Sequence, residues 1–127
     1  MGKEINVLVV DDSSSMRLAV TTTLSAVGYH VQEACDGLEA LKLVNQNMFD
    51  LILTDINMPN MDGFGLIEAV RDLDAYKFVP ILTLTTQSDK VSRQRAKKAG
   101  ATGWIVKPFT SERLTEVMSK LIDTKVA

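Results

Sequence analysis

"LILTDINMPNMDG", residues 51–63, runs four apolar or hydroxyl-bearing residues straight into Asp55 and then breaks up around Pro59, Asn60, Asp62 and Gly63. The first four residues have the near-continuous apolar character of a strand covered on both faces, as central strands of parallel sheets are. Nothing about folding asks for a carboxylate at the tip of such a strand. Asp55 therefore calls for a chemical explanation.

Outward from this stretch, four similar ones appear. "INVLVV" (5–10), "HVQEA" (30–34), "VPILTLT" (79–85) and "GWIV" (103–106) are short and rich in β-branched residues, as strands are. Helical periodicity fills the gaps. Met16, Val20, Leu24 and Val27 mark one apolar stripe, and Leu114, Val117, Met118, Leu121 and Ile122 mark another. Asp36 followed by Glu39 has the pattern of a capping box, Ser88 and Thr110 stand where N-caps belong, and Gly28 and Gly100 are placed to stop helices. Tyr29 and Phe64 read as core, His30 as partly exposed, and the Met residues as gap fillers. Strict alternation of strand and helix implies a parallel sheet with right-handed crossovers and helices on both faces. The more polar second strand suits an edge, and the doubly wound order 2-1-3-4-5 follows.

The 127 residues fit one domain, long enough to withdraw roughly two thirds of the unfolded surface from water. With 14 basic against 16 acidic side chains, the balance of -2 argues against indiscriminate binding to nucleic acid or anionic membrane. No apolar run approaches the roughly 18 residues of a membrane span, and no signal peptide precedes the first strand. Cys35 is the only cysteine, so no internal disulfide forms; it reads as a small buried apolar residue in a protein of a reducing, cytoplasmic compartment.

In a doubly wound sheet, function gathers beyond the carboxyl ends of the strands. Those ends here are Asp11-Asp12, Asp55, Thr85-Thr86 and Lys107-Pro108. Strands 1 and 3 are neighbours in the expected order, so three carboxylates converge. Two of them about 5 Å apart repel by roughly 3 kcal/mol at an effective dielectric near 20. A hard divalent cation such as Mg²⁺ relieves that repulsion, and Lys107 supplies a compact positive charge from the far side. Carboxylates, metal, lysine and hydroxyl together are the parts of a phosphoryl-transfer site, with Asp55 as the nucleophile able to form an acyl phosphate.

"VVDDSSSMR", "LTDINMPNMDG", "LTTQ" and "ATGWIVKPF" resemble, in order and spacing, the four signature segments of response-regulator receiver domains, across essentially the whole chain. The likeness extends to single-domain, CheY-like chemotaxis regulators. The order 2-1-3-4-5 is that of their flavodoxin-like (βα)5 fold, so topology and resemblance are one observation rather than two. The resemblance implies a single receiver domain over residues 1–127 without an output domain. It makes Asp55 the phosphoacceptor from a sensor histidine kinase. Asp12, Asp55 and the Asn57 carbonyl would bind Mg²⁺, or Mn²⁺ as a substitute, with Asp11 acting through water. Lys107 would hold a phosphoryl oxygen, and Pro108 would follow a cis peptide. Thr85 would be the switch hydroxyl coupled to the aromatic residue Trp104, and Asn57, Thr86 and Gln87 would tune hydrolysis.

Each residue also has a plainer role. Asp12, Ser13 or Ser14 could cap the first helix, Asn57, Asp62 and Gly63 suit a turn, and Trp104 suits the core. Trp104 is larger than the Tyr or Phe usual at the switch, and Thr86 is larger than the usual small residue, which implies slower access of phosphodonor and water. "SDKVSRQRAKKA" (88–99) offers only Val91, Ala96 and Ala99 for burial against five cations, Lys90, Arg93, Arg95, Lys97 and Lys98. In the family this fourth helix forms, with the fifth strand and fifth helix, the face that partners read. The expected partners are a histidine kinase, an acidic output protein such as a motor switch protein, and a phosphatase, around a monomer.

Three other readings are weighed against this one. A phosphorelay intermediate would look much the same. A flavin or nucleotide site would want a Gly-rich loop where "DDSSSM" stands. An aspartate-nucleophile phosphohydrolase would want an acid where Asn57 stands.

Overall fold

The computed structural model describes residues 4–87 and 89–126, with side chains as far as residue 122. In chain order the elements are β1 (Asn6–Val10), α1 (Ser14–Ala26), β2 (His30–Ala34), α2 (Gly37–Gln46), β3 (Leu51–Thr54) and α3 (Gly63–Arg71). After a short 3-10 turn (Asp74–Tyr76) come β4 (Ile81–Thr85), α4 (Lys90–Ala99), β5 (Gly103–Val106) and α5 (Ser111–Val126). The five strands form one parallel sheet in the order β2-β1-β3-β4-β5, which is the order expected. β1 and β4 start slightly later than their apolar runs predict, because apolar residues such as Val79 are buried just outside the ladder.

Side-chain alternation divides the core in two. Leu8, Val10, Ile52 and Ile81 point to the face covered by α2 and α3, where they meet Ala40, Val44, Leu66, Ile67 and Val70. Val7, Val9, Leu51, Leu53, Leu82, Leu84 and Ile105 point to the other face, against Val20 and Leu24 of α1 and Leu114, Met118 and Ile122 of α5. The registers Val7↔Leu51 and Leu8↔Ile52 keep like faces together. A one-residue slip would exchange the faces, so register and core specify each other. A third, small cluster of Ile56, Phe64 and Ala96, with Ala101 and Trp104 against it, holds α4 near the β5 edge.

Local expectations are met in part. Val27 is the C-cap residue of α1 and is 56% exposed, since the helix ends before that position turns inward. Val91 is 74% exposed, leaving Ala96 as the buried residue of α4. Cys35 is exposed, just past the edge strand β2, where its thiol donates to Glu39 Oε2 at 3.5 Å. The N-cap of α4 is Asp89, accepting from Ser92 N; the cap expected at Ser88 lies outside the described residues. Thr110 caps α5 through the Arg113 N–H, and both Gly28 and Gly100 take positive φ at helix ends. Asp36 caps α2, but Glu39 reaches back to the Cys35 N–H at 3.1 Å instead of completing the box on Asp36.

The Asp36 carboxylate accepts from Glu39 N at 2.8 Å and from Asn60 Nδ2 at 2.7 Å, and these bonds hold its carboxyl below the ordinary aspartate range. Replacing it should cost about 1 kcal/mol, the usual worth of a side-chain N-cap. The native pKa is depressed, so this contribution is present above the unfolded value and is lost as pH falls through the native one. Urea unfolding of Asp36→Ala should therefore show a deficit near neutrality that narrows below about pH 4.

Candidate phosphoryl-transfer site

Asp11, Asp55 and Lys107 are each the first residue beyond a strand, yet none is free of the sheet. Asp11 N donates to Ala34 O at 3.1 Å, Asp55 N to Val10 O at 2.9 Å, and Lys107 N to Thr85 O at 2.8 Å. The hydrogen-bond ladders thus run one residue past the pleated segments and fix the backbones that carry the charges. Asp55 is held twice more: its carbonyl accepts from the Thr54 hydroxyl at 2.8 Å, and its Oδ1 accepts from Ile56 N at 2.7 Å.

One oxygen from each of Asp11, Asp12 and Asp55 lies within 4.8 Å of the others. Lys107 Nζ stands 2.6 Å from Asp11 Oδ2 and 3.2 Å from Asp55 Oδ2, so the ammonium bridges the two carboxylates and sits closer to Asp11 than the sequence suggested. Only about a tenth of its side chain is exposed. Burial pulls the Lys107 pKa down, but the Asp11 hydrogen bond and the charges of Asp55 and Asp11 together outweigh it and leave the ammonium more firmly protonated than an ordinary lysine. The peptide from Lys107 to Pro108 is cis.

Asp12 is exposed, and the cap of α1 is Ser13, whose hydroxyl accepts from Met16 N. Asp11 Oδ1 instead accepts from Ser13 N at 2.9 Å. Thr85 is fully buried, and its hydroxyl accepts from Gln87 N at 3.1 Å. Gln87 Nε2 reaches Asn57 Oδ1 at 3.4 Å, linking the loops that follow β3 and β4, while Thr86 is exposed beside them. Trp104 is partly buried against the third cluster, and its indole N–H has no partner among the described residues.

Three residues outside the charged cluster support this site. Arg17 Nη1 donates to the Asp11 carbonyl at 2.6 Å while its Nε pairs with Glu33 at 3.2 Å, pinning the acidic pair to α1 and β2. Asn60, at φ 69, supplies the amide that holds Asp36. A Cβ on Gly63 would collide with the Asp55 carbonyl oxygen and fall 2.8 Å from Ile56 Cα, so only glycine lets the loop pass this close to Asp55. "DG" in the sequence signals a turn, and the close approach adds a reason invisible there.

The donor set suits a hard divalent cation. The side-chain candidates are all carboxylates, and among the described residues no donor occupies the Asn57 carbonyl.

The pattern for the response regulator receiver domain matches residues 7–119. The chain belongs to that family. This receiver is 38% identical over 124 residues to chemotaxis protein CheY-3 of Vibrio cholerae, covering 97% of the chain and 95% of the relative. Among solved structures, chemotaxis protein CheY4 of Vibrio cholerae superposes with a TM-score of 0.91 at 46% identity, covering 94% of this receiver and 99% of that chain. The receiver domain of a Pseudomonas aeruginosa sensor histidine kinase, 26% identical with a TM-score of 0.89 and coverage of 95% and 99%, carries a magnesium ion coordinated in its active-site cleft. Receivers of this kind are signalling proteins rather than enzymes that turn over a separate substrate.

The crowding of the three carboxylates makes a simple stability test. In buffer free of divalent ions, Asp12→Ala should leave the urea midpoint unchanged or raise stability by up to about 1 kcal/mol, because an exposed charge interacting with like charges contributes little else. A clear loss of stability would instead make Asp12 a structural residue.

Proposed function

We propose that this receiver takes a phosphoryl group onto Asp55 from the phosphohistidine of a sensor histidine kinase and signals through protein binding in chemotaxis or motility. One observation carries the reading: the Asp55 carboxylate stands at a strand tip, bridged to Asp11 by Lys107 and beside Asp12. In the transfer an Asp55 oxygen attacks phosphorus, the P–N bond breaks, and the released imidazole takes up a proton. Lys107 orients and neutralises a phosphoryl oxygen, and the locked backbones keep attacker and support in line. Asp12, Asp55 and the Asn57 carbonyl would hold Mg²⁺ directly, with Asp11 through water. A bound Mg²⁺ supplies charge neutralisation on the phosphoryl group. Thr85 would release Gln87 N and turn its hydroxyl toward the new phosphoryl oxygens, with Trp104 responding on β5.

Support for the pathway comes from the likeness to chemotaxis regulators, and support for the output face comes from α4. Lys90, Arg93 and Lys97 line a groove beside Trp104, which suits an acidic segment of an output protein such as a motor switch component. The protein is read as a cytoplasmic monomer. No helix among the described residues is long and apolar enough to cross a membrane.

Trp104 is the only tryptophan and reports on this face. Its emission should change when Mg²⁺ and acetyl phosphate are added together, and Asp55→Asn should abolish the donor-dependent part; an unchanged response in that variant would remove Asp55 from the role of acceptor. Because Thr86 is exposed beside the switch hydroxyl, Thr86→Ala should speed phosphoryl uptake and shorten the acyl-phosphate lifetime several-fold. Equal rates in the two proteins would show that its methyl and hydroxyl do not hinder access.

A further inference from the structure

The helix that carries the proposed output face is held very unevenly. Of α4, Ala96 is buried and Ala99 packs partly against the core, while Val91 in the first turn is 74% exposed. Arg95 lies 4.1 Å from the centroid of the Phe64 ring, so the helix touches α3 from its middle onward. The first turn has its Asp89 cap and follows directly on the loop that begins at Thr86.

The other end meets an unusual guanidinium. Arg71, the last residue of α3, donates through Nε and Nη2 to the Gly100 carbonyl at 3.0 and 2.8 Å. Its Nη1 reaches the carbonyls of Tyr76 and Val79, each at 2.7 Å, and Nη2 also reaches the Thr102 hydroxyl at 3.3 Å. These partners are main-chain carbonyls and a hydroxyl, so the charge serves the negative end of α4 and the turn before β4 rather than a carboxylate. Gly100 has φ 119, and a Cβ there would come 2.8 Å from Arg71 Cγ, so the backbone lies directly on the arginine stem.

We propose that Arg71 is the fulcrum of a lever: it fixes the C-terminal end of α4 to α3, so that rearrangement of the loop after Thr85 swings the lightly held N-terminal end. The proposal rests on the phosphorylation reading above for the source of the movement, while the anchoring itself does not. A fork of donors spread over four carbonyls, those of Tyr76, Lys77, Val79 and Gly100, resists rotation in a way that a single ammonium cannot. The lever converts a small loop movement into reorientation of Lys90 and Arg93 while the Gly100 end keeps its place.

Amide hydrogen exchange on the full chain, with and without Mg²⁺ and acetyl phosphate, tests this alongside mass measurement of phosphorylation. In the resting protein the Gly100 and Ala101 amides, bonded to Ala96 O, should exchange at least tenfold more slowly than Arg93 N, bonded to Asp89 O. Within α4, the donor should change exchange in the first turn only. In Arg71→Lys the level of phosphorylation should be unchanged, the Gly100 and Ala101 amides should exchange at least tenfold faster, and the donor-induced change in Trp104 emission should fall by half or more. Arg71→Ala should go further, and if it fails to fold, Arg71→Lys decides. A resting protein without the gradient, or an Arg71→Lys variant that keeps both the gradient and the full emission response, would overturn the fulcrum. If no phosphoryl group is taken up by the unaltered chain, the function proposed above fails, and the resting gradient with Arg71→Lys still decides the anchor.

Discussion

The bridge from Lys107 to Asp11 and Asp55 is the constraint on which the rest depends. Three acidic groups at the rim of a hydrophobic sheet would repel one another, and an ammonium drawn in from β5 offsets part of that repulsion. For the bridge to exist, β1, β3 and β5 must end at the same height with their following residues still bonded to the neighbouring strand. The two apolar layers on the sheet faces enforce that height, since a one-residue slip of register would turn the layers inside out. Core packing and reaction geometry are in this sense one requirement met from two sides.

Around the bridge, stiffness grades into looseness. Asp55 is held by its ladder bond, by the Thr54 hydroxyl and by the close approach of Gly63, so its backbone has little room to wander. Beyond β4 the support thins: Thr85 is buried, Thr86 is exposed, and α4 keeps one fully buried alanine. A signalling domain needs both regimes. The rigid part presents the charged strand tips, and the lightly bound part can change position at small energetic cost.

The architecture was legible because patterning at the strands is strong. Leu51–Thr54 and Ile81–Thr85 are buried throughout, and their hydrophobic runs announced central strands, while the polar residues of His30–Ala34 announced an edge. The charged strand tips were legible too, since a sheet of this order brings its carboxyl ends together and Asp11, Asp12, Asp55 and Lys107 have no other reason to share a rim. Positions next to solvent were less readable. Cys35 and Val27 have apolar character by type, but each lies just past the end of an element, where geometry rather than residue type sets exposure. Arg17, Asn60 and Arg71 were missed, and Gly63 was legible only as a turn residue, because they act on main-chain carbonyls, on a neighbouring cap or through the absence of a side chain. Such contacts leave no periodic trace in a sequence.

The thin attachment of α4 also bears on how such a domain changes over generations. Apart from Ala96 and the Arg95 contact with Phe64, substitutions along its outer surface meet little resistance from the packed interior. On the proposed output face, partner choice could therefore drift on one helix while the charged strand tips are inherited intact, and duplicated copies could diverge in what they address without relearning how to be addressed.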